Sequence, residues 1–427
     1  MFRVYCPKTG RTLLVLSLLL YGSAALASGQ AVSLTLPEAE KLALGADPTI
    51  KRFQAKAAAM DEQAVAAGQL PDPQLKVAML NLPVNTFSRS SQAMTQLQVG
   101  LQQAFPRGHS RSIMTHRKQA LAEADRSQAQ TQKSTALQSV RDSWLDLYYW
   151  IQADRVVADM RPLFAQLVQI TRFEYSTGHR NQQDVLRAQL ELSRLVDRAT
   201  RIVAARDAAR AQLAEWVGQP AARRPLPDAL PALKALPARE ALEKQLSTHP
   251  EVRTQDALVE AGQRGVDLAL AQYKPGWRVD VSYGLRSGND PSGADRPDFF
   301  SAMVYVDLPI FTGKRQDQGL AAARHREQAA RFARDDRLRA LRSMLDGAYA
   351  RWDRLNERVH LYDRRILPES VQNAKVSLEA YQNDDADFTT LMRAAIAELE
   401  TRLEALRVRV DRAKAHVKLL YLAGETS

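Results

Sequence analysis

The chain has 427 residues, with 59 Lys and Arg against 48 Asp and Glu for a formal charge of +11, seven histidines and one cysteine. A single cysteine excludes a disulfide framework and a thiolate-built metal site. The positive excess is spread among acidic residues instead of gathered in blocks, so the charge does not point to a nucleic-acid partner.

At the N-terminus Arg3, Lys8 and Arg11 precede an apolar run from Leu13 to Leu20 and the triplet Ala25-Leu26-Ala27. This order is that of a secretory signal peptide, residues 1–27, with cleavage expected after Ala27. Cys6 precedes the apolar run and leaves with the leader, so the mature chain has no thiol to acylate, and three basic residues leave with it, which takes the charge to +8. Downstream no apolar stretch approaches the ~18–20 residues of a membrane helix, so any membrane crossing is expected as β-strands, which are each only half apolar.

The next segment reads as a helix from Asp47, with Pro48 at its first position, to Gly68 and Pro71. Two alternating runs follow. Leu75, Val77 and Met79 oppose Gln74, Lys76 and Ala78, and after a polar loop from Asn81 to Ser91, Leu97, Val99 and Leu101 oppose Gln96, Gln98, Gly100 and Gln102. Period two predicts strands with one apolar and one polar face. A helix is then expected from about Ser110 to Tyr175, roughly 100 Å at ~1.5 Å per residue, with Leu137, Val140, Trp144, Leu147 and Ile151 on one seam. Pro162 predicts a kink, a local unwinding or a break in it. A turn at Gly178 leads to a return helix on the seam Val185, Ala188, Leu192, Leu195, Ala199 and Ile202.

Residues 219–237 carry prolines at 220, 225, 227, 231 and 237, which rules out a continuous helix and reads as a linker. Beyond it the plan recurs, so the chain divides into a first repeat at 28–218 and a second at 238–427. Pro162, Tyr175, Arg187-Ala188 and Gly218 recur 206 residues later as Pro368, Tyr381, Arg393-Ala394 and Gly424. The helix-start landmarks agree more loosely, at offsets of 200 to 202. Alternation returns in Val279, Val281, Tyr283 and Leu285 and in Ala302, Val304, Val306 and Leu308, joined by a polar loop from Ser287 to Pro297. The long seams return too, from Leu338 through Leu341, Leu345, Trp352, Leu355 and Val359 to Ile366, and from Leu399 to Leu420. All of these seam residues are expected to be core.

Four strands cannot close a barrel around water, and lipid does not tolerate open strand edges. Membrane-spanning strands therefore require oligomerisation; the competing expectation is a soluble β-domain packed on the helices. No metalloprotease, nucleophile-elbow or phosphate-loop motif occurs, so no catalytic residue, cofactor or metal site is assigned and the chain is not read as an enzyme. His109 and His116 are expected on a solvated helix face, and Met79, Met94 and Met114 as packing residues.

Together, the leader, the duplicated strand-strand-long-helix plan and the turns resemble the TolC family of outer-membrane efflux proteins over essentially the whole mature chain. Gly68-Gln69-Leu70-Pro71-Asp72-Pro73-Gln74-Leu75, Asn81-Leu82-Pro83-Val84 and Gln103-Ala104-Phe105-Pro106-Arg107 are similar to the heavy-metal (CusC/CzcC-like) branch. The resemblance implies a mainly α fold of long coiled-coil hairpins plus four transmembrane strands per subunit, a homotrimer closing one twelve-stranded barrel in outer-membrane lipid, and a passive exit duct with a long periplasmic extension. It implies a periplasmic adaptor and an inner-membrane pump, such as an RND transporter, as partners. The adaptor-facing tip would be Tyr175, Gly178, Asp184 and Tyr381. The second tip departs from the family pattern: Asp384 stands at the glycine position, followed by Asp385 and Asp387, an expected acidic ring at the periplasmic entrance, although Asp387 and Asn181 also suit helix N-caps. In the barrel Gln96, Gln98 and Gln102 are expected to face the lumen. Heavy-metal, drug and type I protein export all fit a passive duct, and a periplasmic coiled-coil adaptor or scaffold is the reading from a different class.

Overall fold

The computed structural model describes residues 33–179 and 181–425; the leader and its cleavage site lie outside the described residues. Two short helices open the chain, α1 (Leu36–Ala46) and α2 (Pro48–Ala67), divided at Asp47, whose side chain accepts a hydrogen bond from the Thr49 N–H at 2.7 Å and caps α2. Strands β1 (Gln74–Leu80) and β2 (Gln96–Phe105) follow, then α3 (Ser110–Ser176) and α4 (Gln182–Val217). The linker holds one turn of helix, α5 (Gln219–Ala222), and otherwise runs without regular structure to α6 (Arg239–Gln245). The order then recurs as α7 (Pro250–Ala271), β3 (Gly276–Arg286), β4 (Phe299–Asp307), α8 (Gln316–Leu361), α9 (Leu367–Gln382) and α10 (Phe388–Leu422).

The seams read from the heptads are the core. Leu137 is buried, and Val140, Trp144 and Leu147 are buried in one cluster with Leu213, Val410 and Val417. Further along the hairpins, Ala188, Leu195, Ile202, Leu399 and Leu403 join Val157, Phe164 and Leu167 in a second cluster that both repeats share. Knob-like rows of this length stabilise helices that propensity alone would leave marginal.

The two prolines resolve differently. Pro162 lies inside a 67-residue helix that continues through it. Pro368 sits at the start of α9, and a five-residue π-turn, Tyr362–Ile366, leads into it, so this helix unwinds locally without breaking. A proline removes one N–H and crowds the carbonyl four residues earlier; widening the preceding turn is one way to accommodate that.

The strands form one antiparallel sheet in the order β1-β2-β3-β4. Val77 faces Val99, Val99 faces Tyr283, and Val281 faces Ala302, so the apolar positions of all four strands share one face. Among the described residues no helix is long and apolar enough to cross a membrane.

Candidate functional site

Two regions carry the exposed chemistry, the sheet and the hairpin tips. On the sheet the usual order of burial is inverted. Leu75 and Val77 are 69% and 64% exposed, and Val99, Leu101, Tyr283 and Val304 also lie open. The polar face is the covered one: Gln98, Asp280 and Ser282 are buried, Gln98 Nε2 donates to Ser282 Oγ at 2.7 Å, and Lys76 Nζ stands 3.8 Å from Asp280. Gln96 and Gln102, half-buried, share this face with Gln98, because the side chains of a strand alternate.

At Gly100 the polar face leaves no room for a side chain. A Cβ at Gly100 would lie 2.7 Å from the Ser282 Cβ, and one at Gly284 would overlap the Gln96 side chain. A soluble sheet packed on helices would bury its apolar face instead, so that expectation fails here.

The loops at the far end of the sheet are tied to each other. Thr95 Oγ1 donates to the Asn81 carbonyl at 2.8 Å, and Arg296 Nη1 donates to the carbonyls of Ser90 and Gln92 at 3.0 and 3.1 Å, bridging the two hairpins. Asp298 accepts from the Arg286 N–H and from the Tyr283 hydroxyl, each at 2.8 Å.

At the opposite end the helices turn at Gly178 and Asp384, with φ of 78° and 60°. Positions 206 apart thus share a left-handed backbone, which glycine enters freely and aspartate more readily than most other residues. Both return helices start on side-chain caps: Asn181 Oδ1 accepts from the Asp184 N–H at 3.2 Å, and Asp387 accepts from the Thr390 N–H at 2.7 Å. The Thr390 bonds hold the Asp387 carboxyl below the usual carboxylate range.

The other expected tip residues are placed unequally. Tyr175 is exposed, and Asp184 is half-exposed in the first turn of α4. Tyr381 is 1% exposed, packed edge-on against Phe388, with its hydroxyl donating to Glu174. Its ring is hairpin core and is not offered to a partner. Asp384, Asp385 and Asp387 are exposed at the second turn. Sequence reasoning missed the ties between the tips, Tyr381 to Glu174 and Arg187 to Thr389, because they join residues about 200 positions apart that only packing brings together.

Among the described residues no group of three or more His, Cys, Asp or Glu is placed to hold a metal ion. Residues 241–425, nearly the whole second repeat, match the family model described as outer membrane efflux protein. The second repeat is thus similar to the outer membrane efflux family. No curated protein matches it by sequence. Among solved structures, the outer-membrane channel OprN is similar at 17% identity and a TM-score of 0.77, covering 91% of this chain and 89% of its own. The outer membrane protein VceC of Vibrio cholerae is similar at 16% and 0.76, covering 91% and 96%. The channel protein CusC is similar at 15% and 0.76, covering 92% of each chain. At these identities the structural likeness shows the fold alone; that fold spans both repeats, whereas the family match lies in the second.

Proposed function

We propose that this chain is one subunit of a passive trimeric exit duct. Its sheet forms a third of a barrel in the outer membrane, and its hairpins extend through the periplasm to an adaptor and an inner-membrane pump. The inverted sheet carries this reading. An apolar face left open beside a covered polar face suits lipid outside and water inside, and β2, β3 and β4, with ten, eleven and nine residues, have the ~9–11 that a tilted membrane strand needs. Strands β1 and β4 each leave one edge without a partner in the sheet of one chain, and lipid does not satisfy bare N–H and C=O groups.

In the same reading residues 28–218 and 238–427 are two repeats of one unit joined by 219–237. Tyr175, Gly178 and Asp184 form the adaptor-facing tip, Gln96, Gln98 and Gln102 line the lumen, and Asp384, Asp385 and Asp387 ring the periplasmic entrance. The likeness to CusC is no greater than that to OprN or VceC, so the fold carries no preference of cargo. Heavy-metal cations are supported only by the segments 68–75, 81–84 and 103–107. Mass measurement of the detergent-extracted protein tests the assembly. Three chains per particle are expected, and a stable folded monomer in detergent refutes the duct.

A further inference from the structure

The register between subunits can be worked out from the repeat inside one chain. The two hairpins are copies. Helices α2 and α7 end at Ala67 and Ala271, and Pro71 and Pro275 introduce β1 and β3, all at an offset of 204. On the returning strands Pro106 follows β2 as Pro309 follows β4, an offset of 203. These two offsets have an independent check. Applied to the pairs of the first hairpin, Leu75 with Leu101 and Val77 with Val99, they give Val279 with Val304 and Val281 with Ala302, and both are the observed pairs of the second hairpin.

The joint between hairpins, β2 with β3, is also observed: Leu101 faces Val281 and Val99 faces Tyr283. A closed barrel of repeating hairpins has one further kind of joint, from β4 to β1 of the next copy. Moving the observed joint by the same offsets places Val304 on the partner subunit's Val77, and Ala302 on the partner subunit's Met79.

We propose that β4 pairs antiparallel with β1 of the next subunit in this register, with Val304 opposite Val77. The inference rests on the trimer reading and adds the alignment that closes it. In this register Val306 lies opposite the partner subunit's Leu75, so the apolar face continues across the joint, and Lys76 of the partner subunit meets Tyr305 on the polar face. A slip of one residue sets Lys76 against Val304, on the lipid side. The exposed edges match the joint: Val77 and Val304 are 64% and 66% exposed in the single chain.

Paired cysteines in the full-length Cys6→Ser protein, oxidised in isolated outer membranes and run without reductant, test the register. The pairs are Val77→Cys with Val304→Cys and Ala78→Cys with Met303→Cys. They lie on opposite faces, so one of them occupies the close type of antiparallel pair, with Cβ atoms near ~4.5 Å, at the edge of disulfide reach. Covalent dimers and trimers from at least one pair are expected. The displaced pairs, Leu75→Cys or Met79→Cys with Val304→Cys, stand ~7–8 Å apart and should give few. Stronger ladders from a displaced pair, or no ladder from any pair in a particle whose detergent mass is three chains, overturn the register and leave the trimer standing. A link closed within one chain, in a particle of monomer mass, overturns both.

Discussion

At the two turns single residues decide between structure and chemistry. Gly178 and Asp384 occupy the same left-handed position, but only the second brings a carboxylate, and Asp385 and Asp387 follow it. Asp387 has an evident local task in capping α10. Asparagine caps as well as aspartate, so Asp387→Asn keeps the helix start and removes one charge per subunit, whereas Asp387→Ala removes both. Three subunits would bring nine carboxylates around one axis. Their mutual repulsion and their attraction for cations both act within about a Debye length, ~10 Å at 0.1 M salt. Planar-bilayer recordings of the triple variant Asp384→Asn, Asp385→Asn, Asp387→Asn are expected to show reduced cation selectivity and altered closed-state conductance. Unchanged currents would leave capping as the only role of Asp387.

Among the elements, β2 offers the sharpest contrast, because neighbouring residues meet opposite surroundings. Val99 is exposed on the apolar face and Gln98 is covered on the polar one. Arginine at Val99 would set a charge in lipid, at a cost of about 2–4 kcal/mol near the midplane and less toward the interface. Arginine at Gln98 would face water in the assembled barrel and change the current more than the assembly. The yield of heat-stable trimer and the single-channel conductance of Val99→Arg and Gln98→Arg distinguish these effects. Equal tolerance at both positions would argue against the assignment of faces. The long helices behave less uniformly than the strands: the same proline is absorbed within α3 and preceded by a π-turn before α9.

At the scale of the whole molecule, the two ends of the described chain meet in one ionic belt. Arg141, buried in α3, binds Glu40 at 2.6 Å and Glu425 at 2.7 Å, joining α1 to the C-terminal segment. Nearby His249 caps α7 by accepting from the Glu251 N–H at 3.3 Å and donates from Nε2 to the Tyr421 carbonyl at 3.1 Å. That arrangement needs a neutral ring, since a proton on Nδ1 would oppose the Glu251 N–H. Burial pulls its pKa below the usual histidine value, and Arg337 and Lys418 act in the same direction. A folded-state pKa below the unfolded one means stability that is complete above about pH 6.5 and lost as pH falls through the folded value. His416, also lowered by burial, contributes in the same window. Thermal stability is therefore expected to fall as the pH drops below about 6.5, and His249→Asn, which retains a cap acceptor, is expected to flatten part of that slope. An identical slope in the variant would show that His249 does not carry it.

Local periodicity was enough to place the strands, the seams and both turns. Residues 74–80 and 96–102 alternate strictly and residues 137–151 follow a heptad, and these patterns survive folding because each reflects one face meeting one environment. The caps at Asn181 and Asp387 were legible for the same reason, since a cap involves residues three apart. What depends on distant packing was not. The burial of Tyr381 with its tie to Glu174 and the meeting of Arg141 with Glu40 and Glu425 each join segments far apart in the chain, and no local pattern encodes them. The sequence by itself determined which residues are apolar and at what period. Only the tertiary structure decided which of those faces is covered and which is left open, because a strand with one apolar side looks the same in a soluble sandwich as in a sheet turned outward toward lipid.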